Sequence, residues 1–359
     1  MKRIHALGLF SLMALNAFVL PASAAVLIGN TEGNNIVEFD ETTGQFLGEF
    51  VAPFEGFESP DTLTYGPDGD LYVSSGTTRE NSAVYRFNSQ TGELVDKFAS
   101  GGGLFRPYGI AFGPDELLYV SSFRSDEILR YDSKTGDFVD VFAQRDGTDA
   151  GLNGPNGLLF GPDGDLYVTT QGSVADEEGN LDFAFSSQVL RYDIETKQSE
   201  IFAQPEPFPA SFDFVSLLGL AVGPEDGDLY VSDFANGIQR YDFESGDLLD
   251  VLDTNYTETD PSSNFIGSLA FGPDDNDLYT VGFNTDTAIG SLLKFESLDG
   301  DRAGNLTLVA ENSPELKRPI GLLFKADTDN SNPGVSVPEP GAIAGLLGTF
   351  LFLSRKKRT

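Results

Sequence analysis

The chain has no cysteine and no tryptophan, and only one histidine and two methionines among its 359 residues. The histidine is His5 and the methionines are Met1 and Met13, all within an opening segment that reads as a secretory leader over residues 1–24. Lys2 and Arg3 make its basic start, residues 6–20 its apolar core, and Ala22-Ser23-Ala24 its small-residue cleavage site. Once the leader is removed, no His, Cys, Met or Trp is left. Ser-His-Asp and Cys-His catalysis are excluded, as are haem held by His, Cys or Met and ordinary zinc sites. Chemistry falls to Asp, Glu, Tyr, Lys, Arg and hydroxyls, and to oxygen-liking cations such as Ca²⁺. With no disulfide, an exported chain must draw its stability from its core.

Basic residues are also scarce, at 22 against 56 acidic ones, for a net charge of −34. Six of them lie at the ends (Lys2, Arg3, Arg355, Lys356, Lys357 and Arg358), and without these the charge is −40. Phosphate binding needs a basic surface, so the balance argues against a nucleic-acid partner. It fits a soluble, self-repelling exported protein.

What the chain does have is repetition. "GPDGDLYV" stands at Gly66–Val73 and again at Gly161–Val168, with looser copies from Gly113, Gly223 and Gly272. Each copy sits in a longer unit such as Arg106–Gln144, where four short β-type runs are separated by Gly-Pro-Asp and Ser-Lys-Thr-Gly turns. The third run occurs six times, as Glu38–Asp40, Arg86–Asn88, Arg130–Asp132, Arg191–Asp193, Arg240–Asp242 and Lys294–Glu296. The first run also occurs six times, ending at Tyr65, Phe112, Phe160, Val222, Phe271 and Phe324. The two series are offset at the termini. This predicts an all-β, six-bladed β-propeller of four-stranded antiparallel blades over residues 25–326. Its closing blade takes three strands from Ala25–Val51 and its innermost strand from Pro319–Phe324. The octapeptide is then a scaffold turn, not an active site.

The pattern "RPYGIAFGPD", "LYVSS", "ILRYD", "TGDFVDVF" resembles the NHL-repeat and SMP-30/gluconolactonase-like propellers over about Ala25–Phe324. That resemblance implies a divalent ion at the axis, held by residues near the starts of the inner strands. The matching places are Asp61, Tyr108, Asn156, Leu218, Gly267 and Ile320. Asp61 and Asn156 suit a hard cation such as Ca²⁺, with Asp233 and Asn30 at second-strand ends as further ligands; Leu218, Gly267 and Ile320 depart from the pattern. Oxygen ligands with no basic partner support catalysis poorly, so no catalytic residue is assigned. A Ca²⁺-dependent lactonase-like hydrolase stands as the alternative function.

Residues 327–336 read as a polar linker; "DTDNSN" opens like an EF-hand loop, but Pro338 stands where the twelfth-position Glu belongs. Residues 337–359 hold Val337-Pro338-Glu339-Pro340, a 12-residue apolar stretch (Ala342–Leu353) and a basic end. The stretch falls short of the ~20 residues that span a bilayer. The segment resembles a PEP-CTERM sorting signal. This implies transient membrane association through the C-terminal helix and processing by an exosortase-type enzyme. The setting would be the cell surface or exterior of a Gram-negative-type bacterium, among extracellular polymers.

In a propeller, the second-to-third turns and the blade-to-blade links share one face. Here that face gathers the long segments Gly76–Ser82, Gln171–Ser187, Gln204–Ser216 and Asp253–Asn264. Insertions on one side suggest a binding face. Phe183, Phe185, Phe212 and Phe214 are its expected contacts, while Phe123, Phe234 and Phe283 are expected to pack between blades. The expected function is therefore an exported, non-catalytic surface or matrix protein that binds an envelope protein or an extracellular polysaccharide.

Overall fold

A computed structural model of the protein describes residues 24–205, 214–259, 262–296 and 304–325. Within them stand six four-stranded antiparallel sheets and one two-stranded ribbon. The six inner strands are Leu63–Tyr65, Pro107–Phe112, Pro155–Phe160, Leu217–Val222, Asn264–Phe271 and Pro319–Phe324, and each packs beside the next around a common axis. They define blades 1 to 5 and the closing blade. The closing blade joins Pro319–Phe324 to Ala25–Asn30, Asn35–Asp40 and Phe46–Val51, so strands from both ends of the propeller meet in one sheet. The fold, the blade count and the shared closing blade all follow the sequence expectation. The leader, the linker and the sorting segment, with Val337, Pro338, Glu339 and Pro340, lie outside the described residues. Among the described residues no helix is long and apolar enough to cross a membrane.

Burial explains the composition of each strand. Second strands such as Leu71–Ser75 and Leu166–Thr170 are buried along their whole length because neighbouring blades cover both faces. They therefore read as near-continuous Leu-Tyr-Val runs rather than alternating ones. Outer strands such as Phe46–Val51 and Leu248–Leu252 are exposed over their first residues, the apolar pairs Phe46-Leu47 and Leu248-Leu249 included, and are buried at their last.

The repeated octapeptide has a specific structural task. The Tyr of "LYV" is buried in blades 1 to 5 (Tyr72, Tyr119, Tyr167, Tyr230, Tyr279), and its hydroxyl donates to the Asp of its own Gly-Pro-Asp or equivalent turn at 2.7–3.0 Å. A cation from the third strand (Arg86, Arg130, Arg191, Arg240 or Lys294) then pairs with the same carboxylate at 2.9–3.4 Å. In four blades the Tyr ring meets the Phe that ends the next inner strand, edge-on at 5.0–5.3 Å. One residue thus closes its own turn and packs its blade on the next. Gly92, in the third-to-fourth turn of blade 1, has φ +71°, and a Cβ there would lie 2.0 Å from the Phe50 carbonyl oxygen of the closing blade. Only glycine permits that approach.

Candidate functional site

The site is built by hydroxyls in the second strands. Each inner strand of blades 2 to 5 carries a bulge near its start, which frees a backbone N–H from the ladder. In blade 2 the freed Gly109 N–H donates to Ser121 Oγ at 2.7 Å, and Ser121 Oγ donates at 2.7 Å to the carbonyl of Asn156 in blade 3. Ser74 does the same between Thr62 N–H and the Tyr108 carbonyl, and Thr169 between Gly157 N–H and the Leu218 carbonyl. A Cβ on Gly109 would come within 2.3 Å of the Asn156 carbonyl oxygen, so glycine follows the axial residue. These devices hold successive axial positions at a fixed height on the long-loop face.

There the axial residues enclose a pocket of about 110 Å³. Five of the six expected positions line it (Asp61, Tyr108, Asn156, Leu218 and Ile320); Gly267 does not. Gln171, Phe234, Thr31 and Ser216 join them from second-strand ends and links, as do Arg106 and Arg318. Both arginines precede a proline and have positive φ, +58° and +49°. That is a costly backbone for a non-glycine residue, and following proline restricts it further. Backbone bonds on both sides hold them there. Arg106 N–H donates to Ser82 Oγ and its carbonyl accepts from Phe123 N–H. Arg318 N–H donates to the Ala288 carbonyl and its own carbonyl accepts from Thr31.

The expectation that this site lacks a basic partner is therefore corrected: it holds two. A signal for them is present in the sequence, where Arg-Pro-x-Gly at Arg106–Gly109 and Arg318–Gly321 matches Gly-Pro-x-Gly at Gly154–Gly157. The axial residue lies after the proline, and the residue before it turns out to line the same pocket.

The pocket's polar groups have few protein partners. Asp61 and Asn156 are each 5% exposed, yet among the described residues neither side chain makes a hydrogen bond, and neither does that of Gln171 or Arg318. Arg106 gives Nε–H to the Tyr108 hydroxyl at 3.3 Å and lies over its ring; Arg318 lies over the Phe283 ring at 5.7 Å. Burial pushes the Asp61 carboxyl up to about 7, against the pull of Arg106 and Arg318.

Asn30 and Asp233 have other work. Asn30 Oδ1 accepts from Lys317 N–H and its amide donates to the Glu315 carbonyl; Asp233 Oδ1 accepts from Ser216 N–H and Oδ2 from the Asn236 amide. Ser122 occupies the same strand position in blade 2 and likewise accepts a link N–H, from Phe105. The second-strand end is thus a staple for the link that enters the inner strand. Of the four expected metal ligands, the structure brings Asp61 and Asn156 together in the pocket and commits Asn30 and Asp233 elsewhere. One carboxylate beside two guanidinium groups does not fit a hard divalent cation, which takes six to eight oxygens. Among the described residues no three His, Cys, Asp or Glu side chains stand close enough to hold a metal.

Of the expected contact residues, Phe183 is 65% and Phe214 40% exposed, Phe185 is half-buried, and Phe212 lies outside the described residues. Phe123 and Phe283 are buried as expected, while Phe234 stacks on Phe265 at 4.1 Å and also lines the pocket.

No family model matches the chain, and no curated protein matches it in sequence. Solved structures do. A chain of a nidogen/laminin complex superposes with a TM-score of 0.56 at 13% identity, covering 85% of this chain and 99% of its own. A Bacteroides caccae protein of unknown function gives 0.57 at 12%, covering 85% and 100%. Inactive virginiamycin B lyase from Staphylococcus aureus, with quinupristin, gives 0.52 at 16%, covering 86% and 94%. At these identities the likeness shows the six-bladed propeller fold and nothing of activity.

Proposed function

We propose that the chain acts outside the cytoplasm as a non-catalytic surface or matrix propeller and binds its partner through the long-loop face. The observation that carries this reading is the contrast between the two ends. At the short-turn end, the Asp of each repeat in blades 1 to 5 is closed into a Tyr–Asp–cation cluster. At the long-loop end, the buried side chains of Asp61 and Asn156 face a pocket and make no hydrogen bond among the described residues, and Phe183 and Phe214 on the long segments of that face are exposed. Function tends to ride on loops held by such a scaffold.

Phe183→Ser and Phe214→Ser are expected to lower binding to envelope polysaccharide or envelope protein. Their thermal melts should stay near the parent's, because exposed positions cost under about 0.5 kcal/mol. Lost stability with unchanged binding would remove the face from consideration. The export and sorting reading rests on the leader and on Val337–Pro340 with its apolar stretch and basic end. Mass spectrometry of the exported form is expected to lack residues 1–24 and those after about Pro340. An intact Arg355–Thr359 end would refute processing.

A further inference from the structure

Resting on the reading that the long-loop face is the binding face, we infer that its axial pocket is a specific site for one small organic carboxylate with a short apolar body. The pocket is divided into two arcs. Arg318 of the closing blade, Asp61 of blade 1, Arg106 of blade 2 and Asn156 of blade 3 form a charged and polar arc. Leu218 and Phe234 of blade 4, with Ile320, form an apolar arc backed by Phe265 and Phe283.

Guanidinium forks match a carboxylate in two-point geometry, and among the described residues the Arg318 guanidinium gives no hydrogen bond to a protein acceptor and that of Arg106 gives one. Asn156 and Gln171 add side-chain amide donors that have no hydrogen-bond partner among the described residues. Asp61 disfavours a dianion: a doubly charged phosphate would set two charges against it, whereas a carboxylate can share a single proton with its carboxyl. A volume of about 110 Å³ admits a headgroup and a short body but not a threaded chain. A net charge of −34 also repels a polyanion while leaving a lone carboxylate the local attraction of the two arginines.

The test is calorimetric titration of the full propeller at pH 6 with benzoate and propionate. Benzamide serves as the uncharged isostere, and Ca²⁺ and inorganic phosphate, the latter also at about pH 8 where it is doubly charged, as the competing chemistries. Benzoate is expected to bind and benzamide to bind at least tenfold more weakly. Arg106→Gln and Arg318→Gln should each weaken benzoate at least tenfold. Arg318→Lys, which keeps the charge but not the fork, should fall between. Arg79→Gln, on the same face outside the pocket, should change nothing. Thermal melts confirm that each variant folds, and if the glutamine variants do not, the Arg318→Lys and benzamide arms decide. Equal binding of benzamide, tighter binding of phosphate or Ca²⁺, or benzoate binding indifferent to both arginines would overturn the proposal. Failure here leaves the Phe183 and Phe214 experiment untouched, and failure there leaves this titration untouched, so the two readings fall separately.

Discussion

Replacing Asp61 by Asn keeps the side chain's size and removes its charge. Burial holds the Asp61 carboxyl at about 7 against an ordinary 3.8. The folded protein therefore keeps a proton there through a pH range in which the unfolded chain has lost it. A carboxyl raised in this way contributes stability that is complete below its unfolded value and is lost as the pH climbs to about 7. That separation corresponds to about 4 kcal/mol across the whole range, and to about 3 kcal/mol between about pH 4.5 and about pH 8. The amide of the Asp61→Asn variant does not titrate and has no such dependence. The expected outcome is that the Asp61→Asn variant gains about 3 kcal/mol on the parent between about pH 4.5 and about pH 8.

Urea unfolding at three pH values measures this directly. Glu41 is also raised to about 7, by burial and by Asp275, Asp274 and Asp40, and burial raises Asp233 to about 6. Both proteins will therefore drift the same way with pH, and the difference between them isolates Asp61. A difference that does not change with pH would show that the Asp61 carboxyl ionises in the folded state as it does in water. A growing disadvantage of the variant would show that Arg106 and Arg318 outweigh burial. Either result refutes the account of the pocket as a place where a charge lacks solvation.

Two further substitutions test the scaffold. Ser121→Ala would leave Gly109 N–H and the Asn156 carbonyl without their partner, at about 1–3 kcal/mol for each stranded group, whereas Ser121→Thr should hold, since Thr169 does the same task one blade on. Equal losses in urea midpoint for both would assign the position to packing instead. Gly92→Ala must push against the closing blade and should cost clearly more than Gly69→Ala, which has φ +83° and open space and should lose only about 1–2 kcal/mol from its backbone. Matching melts for the two would show that the blade contact at Gly92 yields freely.

The heights of the axial positions were legible in the sequence because the repeat carries its own ruler. A Gly-Pro-Asp or Gly-Pro-Glu turn in blades 1 to 5 and a third run of the Arg-Tyr-Asp kind in all six units set the register, and Asp61, Tyr108 and Asn156 fall where that register puts them. The chemistry of the site was less legible. Arg106 and Arg318 stand in the links, outside the strands that the repeat counts, and the one mark of their positive φ is that each takes the place of Gly154 in an x-Pro-x-Gly run. Asn30 and Asp233 were misleading for the opposite reason. Their residue types suit a cation, but their place is that of Ser122, whose hydroxyl accepts a link N–H. The ribbon Val174–Ala175 with Leu181–Asp182 was also unforeseen, since two-residue strands have no period to read.

The two ends of the propeller use the same three residue types to opposite effect. At the short-turn end of blade 2, Tyr119 donates to Asp115, Arg130 pairs with the same carboxylate, and the trio is complete without a ligand. At the axis stand Asp61, Arg106 and Tyr108, again an acid, a guanidinium and a phenol. Here Arg106 reaches Tyr108, but the Asp61 carboxyl makes no hydrogen bond among the described residues. The repeated trio closes because its Tyr and Arg lie on neighbouring strands of one sheet, in register across the ladder: Tyr119 is paired with Arg130. The axial trio is drawn from two blades, where no ladder sets the distance. Stability alone would have favoured apolar side chains at these positions, as at Leu218 and Ile320, over a buried acid and two strained arginines. A chain with only 22 basic residues places two of them here, and the donors they leave unspent are what a carboxylate would use.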